Sequence, residues 1–150
     1  PCLFERNDYM AEYSAITLQT VEVDDNVIFT NSFRACRKGF IEHRNDSGLF
    51  FLKGASNSCR ATYRVTFDGN IAIATGGTVE PISVAISIDG EPIAVSTMIF
   101  TPAAVEEFGN VNRSIYLDVP AGCCVRISVK NTSDQTISVE NANLIVERIA

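Results

Sequence analysis

Residues 82–100, "ISVAISIDGEPIAVSTMIF", decide the fold class. Ile82, Val84, Ile86 and Ile88 alternate with Ser83, Ala85 and Ser87, so the segment reads as a strand with an apolar face and a small, polar one. Asp89-Gly90 then supplies the positive backbone torsions of a tight hairpin turn. Pro92 has no amide hydrogen to donate, which puts the start of the return strand at a sheet edge. The flanking segments repeat this grammar.

Upstream, "CRATYRVTF" (59–67) sets Cys59, Ala61, Tyr63, Val65 and Phe67 against Arg60, Thr62, Arg64 and Thr66, a half-buried strand with one wet side. After it, Asp68-Gly69 allows either a tight hairpin or a bulge that lets one long strand continue through "NIAIA". "AITLQTVEV" (15–23), with Ile16, Leu18, Val21 and Val23, and "NVIFTNSF" (26–33) read as strands. "FIEHRNDSGLFFLKG" (40–54) reads as a hairpin turning at 45–48. Downstream, "RSIYLDV" (113–119), "CCVRISVKN" (123–131) and "ISVENANLIVERI" (137–149) follow, the last expected to be buried through Leu144, Val146 and Ile149. Only "AAVEEFG" (103–109) has the composition of a helical turn. About ten short strands with turn signals every 8–12 residues or so predict an all-β antiparallel sandwich or jelly roll. We expect an arm over 1–14 and one domain over 15–150, since 150 residues suit a single core.

Composition narrows function. A net charge of −6 argues against nucleic acid, which needs clustered Lys and Arg. No apolar run approaches the roughly 18 residues of a membrane span, so no membrane insertion is expected. The opening "PCLFERNDYM" lacks a basic start and an apolar core, which predicts no secretory leader and a cytosolic start. Cys2, Cys36, Cys59, Cys123 and Cys124 are odd in number and form no C-x-x-C pair, so reduced thiols are expected, with Cys2 or Cys36 as crosslinking candidates. The adjacent Cys123 and Cys124 should point to opposite faces.

Catalytic groups are sparse. The single histidine, His43, cannot form a histidine cluster and reads as a solvated turn residue. Glu106-Glu107 and Asp24-Asp25 could act as paired carboxylates, but adjacent acids in loops usually serve solubility. Asp24, Asp25, Asp46 and Asp134 could offer oxygen ligands to calcium, without the spacing of any loop motif. Gly76-Gly77 is no phosphate cradle, because no strand-to-helix context follows. The expectation is no enzyme, no metal and no cofactor.

The order "YRVTF" (63–67), "ISVAISIDGEPI" (82–93), "RSIYLDVPAGCCVRISVKN" (113–131) and "ANLIVERI" (142–149) resembles the tumour-necrosis-factor/C1q-like jelly-roll superfamily. It is most similar to the bacterial and phage branch, with its spore-surface glycoprotein heads and phage head or tail fibre domains. The resemblance covers residues 59–150 well and 1–58 loosely, and its strand order favours the bulge at Gly69. It implies a homotrimer in which one sheet of each subunit packs around a threefold axis, with Tyr63, Phe67 and Tyr116 as interface candidates. No Gly-X-Y stalk is present; the leading residues offer Leu3, Phe4, Tyr9 and Tyr13 as anchors to a larger particle, such as a phage capsid or tail. The implied function is structural, in a virion as capsid decoration or fibre head. Two alternatives stand beside it: a module binding host-surface glycan or protein, and a Gram-positive spore- or cell-surface protein.

Overall fold

A computed structural model describes residues 9–34, 40–54, 59–122 and 124–150. It is an all-β, TNF-like jelly-roll sandwich of two antiparallel sheets. Twelve strands occur among the described residues: β1 (Met10–Ala15), β2 (Gln19–Val21), β3 (Asn31–Arg34), β4 (Ile41–His43), β5 (Phe50–Lys53), β6 (Arg60–Ile73), β7 (Ile82–Ile88), β8 (Glu91–Pro92), β9 (Met98–Phe100), β10 (Gly109–Pro120), β11 (Cys124–Asn131) and β12 (Ile137–Arg148). The first sheet runs β10-β6-β12-β1-β3, with β2 added beside β12; the second runs β4-β5-β11-β7-β8, with β9 added beside β7. From β5 onward the chain crosses repeatedly between the sheets, so both are needed to close one core.

Parity explains the core. Ala61, Tyr63, Val65 and Phe67 of β6 are buried, as are Leu144 and Val146 of β12 and Val84 and Ile86 of β7. Aromatic rings bridge the two layers: Phe29 lies 5.3 Å from Phe50 and 6.4 Å from Phe67, edge-on to both. The Tyr63 hydroxyl donates to the Lys53 carbonyl of the opposite sheet. Tyr63→Phe should therefore lower stability by about 1 kcal/mol, while truncation to alanine should cost about 4 kcal/mol, both readable by urea unfolding at one protein concentration.

Four expectations shift in detail. The arm does not extend to residue 14: Met10–Ala15 pairs along its whole length with β12, Ala15 facing Ala142 and Met10 facing Glu147. Its buried face is Ala11, Tyr13 and Ala15, whereas the chain turns away at Ile16 and Leu18 and leaves them 66% and 53% exposed. Asp89 and Gly90 do carry φ of 50° and 88°, but the return strand is broken. β8 holds two residues, a 3-10 turn follows at Ala94–Ser96, and β9 rejoins β7. Ser96 Oγ fills the gap, accepting from the Ile86 amide and donating to backbone oxygen. β6 runs unbroken through Gly69, and the irregularity lies opposite, between Glu140 and Asn143 of β12, where Asn141 has φ 54°. Residues 103–108 form a turn and no helix: the Glu107 amide donates to the Ala104 carbonyl, and the Glu106 amide docks the turn on the Ile73 carbonyl.

Candidate interaction surface

The outer face of the first sheet is an ordered polar lattice. Register places Tyr116, Arg64, Glu147 and Met10 in one row across β10, β6, β12 and β1. The next rows read Ser114, Thr66, Ile145, Glu12 and then Asn112, Asp68, Asn143, Ser14. Cross-strand side chains tie these rows together. Arg64 donates to Glu147 at 2.9 and 3.1 Å, Thr62 to Asp118 at 2.7 Å, Asn143 to Glu12 at 3.0 Å and Asn110 to Asp68 at 2.7 Å, while Thr66 and Ser114 hydroxyls meet at 2.8 Å. The hydrogen bond that Arg64 donates to Glu147, then that carboxylate's charge, raises the Arg64 pKa, with a smaller contribution from Tyr116. Partners on neighbouring strands hold these bonded side chains, so they have little rotamer freedom left to lose on contact.

Tyr116 stands out of this lattice, 65% exposed, the large aromatic of the face. Of the three interface candidates it alone lies on a solvent side. Tyr63 and Phe67 are fully buried within their own subunit, because odd positions of β6 point into the sandwich. They have no surface to give to an axis. Among the anchor candidates, Tyr13 is likewise core, packed 4.8 Å from the rings of His43 and Phe50. Tyr9 is 42% exposed and stacks on Phe40 at 5.7 Å, with the Arg148 guanidinium over both rings. Leu3 and Phe4 lie outside the described residues, as do Cys2, Cys36 and Cys123; Cys59 and Cys124 are exposed.

The remaining candidates serve the fold. Asp24 and Asp25 form a turn docked on Asn131, whose amide donates to the Asp25 carbonyl at 2.9 Å and whose carbonyl accepts from Asp24 at 3.1 Å. Glu106 accepts from Thr75 at 2.8 Å. Gly77 sits where a side chain would strike Gln135 and Ile73, and Gln135 in turn brackets the Thr78 backbone at 2.9 and 2.7 Å. Among the described residues no three His, Cys, Asp or Glu side chains converge as a metal site, so the four aspartates do not gather. No helix there is long and apolar enough to cross a membrane. His43 is no solvated turn residue: it ends β4, stacks on Phe50 and is half-buried.

Neither a family model nor a curated protein sequence matches the chain. Solved structures do. Eiger TNF from S. frugiperda aligns over 95% of this chain and 92% of its own, with a TM-score of 0.69 at 12% identity. Murine APRIL aligns over 93% and 98%, with a TM-score of 0.63 at 11% identity. PRD1 vertex protein P5 aligns over 95% and 98%, with a TM-score of 0.53 at 9% identity. At these identities the likeness is one of fold, over 93–95% of the chain.

Proposed function

We propose that this chain is a non-enzymatic assembly protein that forms a homotrimer through the outer face of the β10-β6-β12-β1 sheet. The observation that carries the proposal is Tyr116, a largely exposed aromatic on a face whose polar side chains are already paired with one another. Such a face has its desolvation cost partly offset within the subunit, while the tyrosine brings apolar area and a hydroxyl for the partner. The particle we favour is a bacteriophage virion, as capsid decoration or fibre head; the fold shared with a PRD1 vertex protein supports this reading. Residues ahead of β1 would provide the attachment.

Sedimentation or native mass spectrometry tests the trimer. The expected mass is three times 16.3 kDa, and a stable monomer at micromolar concentration would defeat the proposal. Tyr116→Arg places a second cation beside Arg64 and should shift the species to monomer with little change in the monomer's own fold, since its side chain is outside the core. Cryo-microscopy of particles with and without the gene tests the virion role: particles missing no density in the deletion speak against it.

A host-surface binding head remains the alternative reading, drawing on Tyr9, Phe108 and Tyr116 as exposed rings on which a sugar could stack. Binding on a glycan array that Tyr116→Ala abolishes while the trimer persists would favour it. A spore-surface role would show as protein recovered from spores and absent from phage particles.

A further inference from the structure

We propose that His43 makes the β4–β5 hairpin an acid-sensitive clasp between the two sheets. Its ring is paired in register with Phe50 and stacked on it at 4.3 Å and 17°, and it lies 4.8 Å from Tyr13 of the opposite sheet. One ring nitrogen, Nε2, is 2.9 Å from the Ser47 carbonyl, which can only accept. The proton of the neutral imidazole therefore resides on Nε2, and Nδ1 carries the lone pair. Nδ1 is buried and meets no partner among the described residues. Protonation would add an N–H at that position with no oxygen to receive it, inside an aromatic cluster.

The surrounding charges do not reverse this. β5 presents Phe50 and β1 presents Tyr13, rings that bring no carboxylate to the site, and their cation–π attraction works with Asp46 against the cost of burying the ion. Glu42, on the other face of β4, is paired with Lys53 at 3.1 Å. Asp46, in the following turn, favours the cation, as does the Ser47 bond; burial outweighs both and lowers the ring's pKa from its ordinary 6.5. A lowered folded-state pKa means that the unfolded or opened chain binds the proton more readily. The clasp is thus complete above 6.5 and weakens as pH falls from 6.5 toward the folded value, below which the loss levels off. β4 is the edge strand of its sheet, held to β5 by three residue pairs, so the opening is local to the hairpin.

Amide hydrogen exchange on the intact protein tests this at about pH 7.5 and about pH 5.5, corrected for intrinsic chemical rates. Residues 41–53 should exchange about threefold faster or more at the lower pH, while β6 and β12 keep their protection. His43→Phe retains an aromatic ring and cannot titrate, so its hairpin should show no such dependence. An equal acid response in His43→Phe, or a wild-type response spread evenly along the chain, overturns the proposal. As the chain has one histidine, its ring signals in a proton NMR titration of the wild type give a second reading that needs no variant. A midpoint at or above 6.5 overturns the clasp whatever the variant does.

Discussion

Replacing Asn131 by leucine should lower the unfolding free energy by about 4 kcal/mol, among the largest effects of any polar substitution in the chain. Asn131 is fully buried at the end of β11. Its Nδ2 donates to the Val21 carbonyl at 3.0 Å and to the Gln135 carbonyl at 3.0 Å, and its Oδ1 accepts from the Ser133 amide at 2.9 Å. Those three bonds join β2, the turn after β11 and the strand end that the Asp24-Asp25 turn grips from its other side. Leucine shares the branched shape but is larger, so the cost combines two carbonyls and one amide left without partners with overpacking of a fully buried site, and no cavity enters. Asn131→Asp is the sharper control. A carboxylate keeps the Ser133 bond but turns acceptor against both carbonyls, so it should be at least as damaging as leucine despite its shape. Urea unfolding at fixed protein concentration measures both; a loss below about 1 kcal/mol in either variant would mean that water replaces the lost bonds.

Asn131 also marks the boundary of what the sequence made legible. Alternation along β6 and β7 predicts which residues share a face, because that parity is a local property. The Asp89-Gly90 turn is equally local, and its torsions are those expected. Register is not local. Tyr63, Phe67 and Tyr116 look equivalent as aromatics in alternating strands, yet Leu117 is the residue opposite Tyr63, and Tyr116 pairs with Arg64. Parity within each strand already sets Tyr116 out of phase with Leu117 and Val119 and keeps Tyr63 and Phe67 together; what it leaves open is whether a face meets the other sheet or solvent, and only the pairing of distant strands decides that. The first strand was obscured differently. In "MAEYSA" the buried face is Ala11, Tyr13 and Ala15, where two small residues give a weak apolar signal beside the brighter Ile16 and Leu18 that follow. Small side chains blur the pattern at β7 too: the small, polar face holds Ala85 and Ser87, yet both are fully buried, with the Ser87 hydroxyl bonded to that of Ser128. His43 carries no sequence signal at all, since its stacking on Phe50 follows from the hairpin's closure.

At the centre of the first sheet, a coupling between Phe67 and Gly69 should decide how the long strand is built. A methyl group added at Gly69 would stand 2.9 Å from the tip of the Phe67 ring and 3.5 Å from the Ala142 backbone, where β12 bulges. The ring thus occupies the space that a side chain at position 69 would need, which is why a glycine lies within a buried strand. Phe67→Ala removes a fully buried ring that also touches Phe29, and should cost about 4 kcal/mol. Gly69→Ala alone should cost about 1–2 kcal/mol by displacing the ring. Combined, the two should cost clearly less than their sum. With the ring gone the methyl group has room and restricts the unfolded chain, so in the Phe67→Ala background Gly69→Ala should be neutral or stabilising by about 0.5 kcal/mol. Simple additivity in the unfolding cycle would show that the glycine is required by the bulge of β12, whose geometry both variants leave in place, and that Phe67 merely lies beside it.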